Sequence, residues 1–199
     1  MPLVSLVGYT NAGKSTLFNT WSDSGVYAAD QLFATLDPTL ARVEIEGLGG
    51  VIIADTVGFI ADLPHTLVQA FRATLEETLN SSLLLHVIDV AADDREFLKT
   101  EVESVLDEIG AGDIPQLLVF NKIDLLEREP RIARDSEGRP DSVSVSAKTG
   151  AGLDLLRDAI GERLAGNFFG GCVELTPAQG KLRAALYEMG AVKSEDWLE

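Results

Sequence analysis

Gly8-Tyr9-Thr10-Asn11-Ala12-Gly13-Lys14-Ser15 stands between a short apolar run, Leu3–Val7 (LVSLV), and a helical run that reaches about Trp21. A glycine at each end with Lys-Ser behind the second is the P-loop pattern, and it sits in the strand–loop–helix context that the pattern requires. Each part has a physical job. Glycines let the loop wrap so that several backbone N–H groups point inward at a phosphate. The helix that follows adds its positive N-terminal end. Lys14 reaches the β- and γ-phosphates as a point charge, and the Ser15 hydroxyl ligates Mg²⁺. Tyr9, Thr10, Asn11, Ala12 and Thr16 complete the cradle.

Working outward, Leu3–Val7 reads by length and flanks as a buried parallel strand. Residues 24–39 lack clean periodicity and read as a long loop. Leu40 to Glu46 alternates apolar and polar, as an edge strand does. Gly47 to Gly50 reads as a hairpin turn, and Val51 to Ala54 as the next strand. Thr66-Leu67-Val68-Gln69 has the form of a capping box behind Pro64. Leu67, Phe71, Leu75 and Leu79 then recur every four residues along one helix face. Ser82 to Val90, Gln116 to Phe120 and Ser142 to Val145 read as further strands. Phe97, Val102, Val105, Leu106 and Ile109 mark an amphipathic helix, and Leu153, Leu156, Ile160 and Leu164 a closing one. Residues 127–141, with mixed charges, two prolines and a glycine, read as an exposed excursion. Strands alternating with helices predict an α/β P-loop NTPase fold. The expected sheet is doubly wound, six-stranded and mostly parallel, with one antiparallel edge strand. Residues 1–166 form the expected nucleotide-binding domain and 167–199 a partial, small C-terminal appendage. Residues 24–39 and 127–141 are expected to be least ordered without a triphosphate.

At 199 residues the chain can bury one sizeable core plus a small appendage. It is 46% hydrophobic and 24% charged, which reads as soluble and globular. No run of about 18 apolar residues occurs, so no membrane span is expected. Met1-Pro2-Leu3-Val4 leads straight into a strand, so no signal peptide is expected and a cytoplasmic location fits. The single cysteine, Cys172, cannot make an internal disulfide. The net charge of −16 argues against broad basic-patch adhesion to nucleic acid, because phosphate contacts drive such binding, and leaves room for a local basic site. No direct DNA binding is expected, and a monomer is the expected state.

Three further motifs follow in order. Asp55-Thr56-Val57-Gly58 comes directly after the Val51–Ala54 run. A carboxylate at a strand's C-terminal end beside a P-loop is placed to hold Mg²⁺, and Gly58 lets a backbone N–H approach the γ-phosphate. Asn121-Lys122-Ile123-Asp124 names the base. The Asp124 carboxylate accepts from guanine N1–H and the exocyclic amine, whereas adenine would leave it unpaired. Lys122 can lie over the base plane, and Asn121 ties its loop back toward the P-loop. Ser146-Ala147-Lys148 offers a backbone N–H to the guanine carbonyl.

Gly8–Thr16 (GYTNAGKST), Phe33–Thr39 (FATLDPT), Asp55–Ile60 (DTVGFI) and Leu63–Glu77 (LPHTLVQAFRATLEE) resemble the HflX family of ribosome-associated GTPases. FATLDPT and LPHTLVQAF are the specific part, since Obg- and Era-like relatives share the rest. The likeness covers about residues 3–165 and continues weakly through Val173-Glu174-Leu175 and Leu182–Val192. The family's N-terminal domain has no counterpart, so the chain looks like an excised fragment. The resemblance implies GTP and GDP as ligands, GTP hydrolysis with Mg²⁺, and the large ribosomal subunit as partner, with ribosome splitting as a possible outcome. It implies that Phe33-Ala34-Thr35-Leu36-Asp37 is switch I, with Thr35 ligating Mg²⁺ beside Ser15 and Asp55. Thr39 is the rival for that ligand. Lys14, Thr35 and Gly58 would be the catalytic groups. Asn11 matches an asparagine that helps to bind K⁺ in related GTPases; the alternative is a loop-closing amide.

Phe59 stands where many signalling GTPases carry a glutamine, and phenylalanine cannot orient a water. Slow basal turnover is therefore expected, below the roughly 1–100 s⁻¹ typical of kinases, with stimulation by the ribosome. His86 lies inside an apolar strand and reads as core. His65 is a functional candidate or a helix-start residue. Two alternatives stand beside the ribosome-associated GTPase. One is a nucleotide-dependent binding switch with negligible turnover. The other is an Era- or Obg-like assembly factor, disfavoured because no basic RNA-binding C-terminal segment is visible.

Overall fold

The computed structural model describes residues 1–22, 39–56, 58, 78–165, 173–176, 179–188, 192 and 195. Its strands are β1 (Leu3–Val7), β2 (Thr39–Ile45), β3 (Gly49–Asp55), β4 (Leu83–Asp89), β5 (Gln116–Asn121), β6 (Arg131–Arg134) and β7 (Pro140–Ser144). Its helices are α1 (Lys14–Ser22), α2 (Arg95–Glu108), α3 (Leu153–Ala165) and α4 (Gly180–Glu188), with a 3₁₀ turn at Ile123–Leu126. The strands form one sheet in the order β2-β3-β1-β4-β5-β7-β6. The five inner strands pair in parallel, and β2 and β6 close the two edges antiparallel.

β4 is the middle strand, and Leu83 through Ile88 are all buried, as a parallel strand covered on both faces must be. Alternate residues therefore feed two cores. Leu83, Leu85 and Val87 face Leu17, Phe18 and Trp21 of α1 and Leu156, Ile160 and Leu164 of α3. Leu84 joins Val102 and Leu106 of α2 on the opposite face. Helices on both sides make the sheet doubly wound, as the alternation of strand and helix patterns predicts.

The sheet has seven strands where six were expected, and two antiparallel edges where one was. The added strand is β6, inside the stretch 127–141 read as an exposed excursion. Its charges hold the hairpin together. Arg134 makes a two-bond contact with Glu162 of α3 (2.6 and 2.9 Å). Asp135 Oδ1 accepts from the N–H groups of Glu137 and Arg139, both at 2.9 Å, and so shapes the turn into β7. Ile132 alone turns inward, packing against the core. A charged strand is suited to an open sheet edge, because it discourages pairing with another chain. That stretch, expected to be among the least ordered, is a bonded hairpin.

Two apolar positions also depart from expectation. Phe97 is 57% exposed. Counting back from buried Val102 by one helical turn reaches Leu98, which is half-buried, and passes over Phe97. Leu67, Phe71 and Leu75 lie outside the described residues. At the end of their stripe Leu79 is 43% exposed, and Thr78 is the buried residue. Chain direction explains this: Ser81 N–H donates to Thr78 O, and Ser81 Oγ donates to Ser5 Oγ at 2.7 Å, turning the segment into β4. Residues 24–38 of the long loop also lie outside the described set. At the C-terminal side, Glu195 accepts from Arg183 (2.7 and 2.8 Å) and from Tyr187 (2.6 Å) of α4.

Candidate functional site: a phosphate cradle joined to a base loop

The site lies along the C-terminal ends of β1, β3, β5 and β7, where loops leave an open α/β sheet. Residues 8–13 leave β1 and enter α1 at Lys14. Both glycines are required by geometry. Gly8 has φ 147°, and a Cβ there would run into the Val87 carbonyl of β4. Gly13 has φ 99°, and a Cβ there would strike Asn121 Nδ2. Ala12 N–H closes the loop on Tyr9 O at 3.3 Å, and Asn11 at the crest takes φ 62°.

Lys14 is 5% exposed. Its ammonium donates to Gly8 O and Tyr9 O, both at 3.0 Å, so it is held across the loop mouth. Burial pushes its pKa down to about 8, opposed by the nearby Asp55 carboxylate. Asp55 ends β3, is 3% exposed, and stands opposite Thr39 in the β2–β3 ladder. Thr56, the next residue, donates its hydroxyl to Leu6 O and fixes the chain against β1. Gly58 returns to the cradle. A Cβ there would lie 3.0 Å from Thr10 Cα and 3.1 Å from Lys14 Nζ, a tight fit that would make the cradle shift by a few tenths of an ångström.

The base loop is bonded to this cradle. Asn121, 1% exposed, donates from Nδ2 to Ala12 O at 2.9 Å and accepts at Oδ1 from Ala147 N–H at 2.9 Å. Ala147 O in turn accepts from Thr20 Oγ1 of α1 at 2.9 Å. A ring of contacts therefore runs from P-loop to base loop to the Ser146–Lys148 segment and back to the P-loop's own helix. Lys122 has φ 67° and reaches Asn11 O at 2.8 Å. Asp124 is half-buried, and Ser146 Oγ donates to its Oδ1 at 2.6 Å, which sets the orientation of that carboxylate. Ile123 N–H bonds Val145 O, pinning the loop to the end of β7.

The structure thus brings Gly8–Ser15, Asp55, Gly58, Asn121–Asp124 and Ser146–Lys148 to one edge of the sheet. Thr16 lies in the first turn of α1, where its carbonyl accepts from Thr20 Oγ1. Of the Ser146–Lys148 segment, expected to offer a backbone N–H to a guanine carbonyl, the Ala147 N–H is engaged by Asn121 Oδ1. Phe33–Asp37, Val57, Phe59 and His65 lie outside the described residues. His86 is core, 1% exposed. Two residues here carry no motif signal: Thr20, and Asp89, which ends β4 and pairs with Lys122 at 2.7 Å. An acid closing a fully buried strand beside a loop lysine is the trace that points to Asp89.

Among the described residues no helix is long and apolar enough to cross a membrane, and no group of three or more His, Cys, Asp or Glu is placed to hold a metal. Ser15 and Asp55 are oxygen donors on the first turn of α1 and the end of β3. Two such ligands beside a phosphate cradle fit Mg²⁺, which prefers few protein oxygens together with phosphates and waters.

A glycine-closed phosphate cradle carrying a buried lysine, tied to an Asn-Lys-x-Asp loop on a doubly wound sheet, defines the P-loop GTPase class. The family described as 50S ribosome-binding GTPase matches residues 3–122. The chain belongs to that family. It is similar to GTPase HflX of Escherichia coli (strain K12), 56% identical over 201 residues, covering 100% of this chain and 47% of that protein. It is 48% identical over 164 residues to GTPase HflX of Caldanaerobacter subterraneus subsp. tengcongensis, covering 82% of this chain and 37% of that one. The resemblance carried by residues 33–39 and 63–77 is borne out at that identity. The chain spans about half the length of the E. coli relative. Among solved structures, it matches a GTP-binding protein from Sulfolobus solfataricus in complex with GDP. The identity is 29% and the TM-score 0.63, over 84% of this chain and 53% of that one. A point variant of Aquifex aeolicus Era bound to GDP·AlF₄⁻ shares the fold at 22% identity and TM-score 0.61, over 89% of this chain and 60% of that one.

Proposed function

We propose that this chain binds GTP with Mg²⁺, hydrolyses it to GDP and phosphate, and through its nucleotide state sets its affinity for the large ribosomal subunit. The observation that carries the reading is the bonded ring Ala12–Asn121–Ala147–Thr20, because it makes phosphate cradle and base loop one rigid receptor. In this reading the loop amides of residues 9–15 and the Lys14 ammonium neutralise the β–γ bridge and the γ-oxygens. Mg²⁺, held by Ser15 and Asp55, supplies Lewis-acid stabilisation of the same charge. Gly58 N–H, beside Thr10 and Lys14, would meet the γ-phosphate. Asp124, oriented by Ser146, accepts the guanine N–H donors. Thr35 joins the metal ligands, and switch I spans residues 33–37. Asn11 would help to hold a K⁺ that would supply further positive charge, a point read out by comparing turnover in K⁺ and Na⁺.

Loss of the γ-phosphate removes contacts that favour one arrangement of the switch loops, and a partner reads that through differential affinity. With phenylalanine at position 59 the chain supplies no amide there to orient the attacking water. Turnover is therefore slow alone and faster on the ribosome. The family description and the HflX names of its relatives support the ribosomal partner. The same reading divides the chain into a nucleotide-binding body, 1–166, and an appendage, 167–199. A phosphate-release assay tests it: the expected result is slow release alone, rising at least severalfold with large subunits. Equal rates with and without subunits would contradict the ribosome link, and no release under either condition would favour the binding-switch reading.

A further inference from the structure

Asp89 belongs to none of the four motifs, yet it holds one of them. Its Oδ2 accepts from Lys122 Nζ at 2.7 Å, and its Oδ1 accepts from the Ala91 N–H at 2.9 Å. The second bond fixes the carboxylate at the turn from β4 toward α2. The first fixes the lysine, whose ammonium also donates to Asn11 O of the P-loop at 2.8 Å. The two side chains are 31% and 22% exposed, so the pair is only partly screened by water. Both Asn11 and Lys122 occupy left-handed backbone, with φ 62° and 67°, a conformation that persists where surrounding contacts impose it.

We propose that Asp89 is a positioning residue for the guanine nucleotide: its carboxylate holds the Lys122 ammonium against the P-loop, so that the lysine stem lies across the base before the nucleotide arrives. The proposal rests on the nucleotide reading above. A lysine stem carries about 2 kcal/mol of rotamer freedom. Ordering that stem in advance removes a cost that binding would otherwise incur. The effect falls on how long the nucleotide stays. It does not fall on which base is chosen, because Asp124 reads the base edge and Asp89 does not reach it.

Asp89→Asn separates this role from a merely local one. The amide keeps an oxygen for the Ala91 N–H but turns an NH₂ toward Lys122, so the turn survives and the lysine loses its acceptor. Release of a fluorescent N-methylanthraniloyl GDP is followed by stopped flow in the wild type, Asp89→Asn, Lys122→Ala and the double variant. Asp89→Asn is expected to release about tenfold faster, the scale of one charged hydrogen bond. The double variant is expected to release no faster than Lys122→Ala. Affinities for GDP and IDP should fall by the same factor in Asp89→Asn. Asp89→Ser also keeps an acceptor for Ala91 and repeats the test should the asparagine variant not fold. Wild-type release rates in both Asp89 variants, or effects that multiply in the double variant, would overturn the proposal. A wild type that takes up no guanine nucleotide would instead overturn the reading it rests on.

Discussion

Lys14 carries the sharpest chemical consequence at the scale of single residues. Its ammonium is buried with two carbonyls as partners, and its pKa is pushed down to about 8. A triphosphate replaces those carbonyls with anionic oxygens, which favour the charged form and raise the pKa again. Between pH 8 and the ordinary lysine range near 10.5, the free protein has lost the proton that the complex keeps. Binding in that window must therefore take up as much as one proton, and affinity must fall as pH rises above 8. Calorimetry at pH 8.5 in two buffers of different ionisation enthalpy reads that uptake directly; identical heats in both would count against it. The residues around Lys14 were legible in the sequence because phosphate chemistry restricts what can stand there. Gly8 and Gly13 each face an atom of a distant strand or loop that a Cβ would meet. Asp89 was not legible, because an acid at a strand end is common and its partner, Lys122, lies 33 positions away.

At the scale of elements, β4 shows the cost of a titratable group inside a covered strand. His86 is 1% exposed, and burial lowers its pKa from 6.5 to about 4. Glu103 of α2 opposes that shift and Gln116 of β5 does so by a hydrogen bond, while Lys99 of α2 and Lys14 of α1 reinforce it. The sign follows from proton counting. As pH falls below 6.5 the unfolded chain protonates first, so stability is full above 6.5 and is lost progressively down to about 4. The loss is on the order of 3 kcal/mol by pH 4. Urea unfolding at pH 7 and pH 4.5 should show a smaller acid loss in His86→Leu than in the wild type; equal losses would place the acid sensitivity elsewhere. The inner strands were readable as runs of four to nine residues rich in apolar side chains. β6 was not, because three of its four residues are exposed and its two arginines look like loop charges. Only Ile132 and the bonds of Asp135 and Arg134 reveal a strand, and those depend on α3 and β7 standing beside it.

Across the whole molecule, four loops from four strand ends converge on one edge, and side chains from the base loop and α1 stitch them together. The parallel order of the inner strands places those loops side by side, as strand–helix alternation requires. The net charge of −16 gives this arrangement a particular character. A nucleotide is not drawn in by the average surface, so its recognition depends on local amides, Lys14 and Lys122. Guanine selectivity is then the property on which the account stands, and equilibrium binding of GTP against ATP, in the wild type and in Asp124→Ala, measures it most directly. The account predicts that the wild type prefers GTP by at least about a hundredfold, the scale of a site built to pair with a base's polar groups, and that the preference collapses in the variant. Equal affinity for the two nucleotides, or a preference that survives Asp124→Ala, would contradict it.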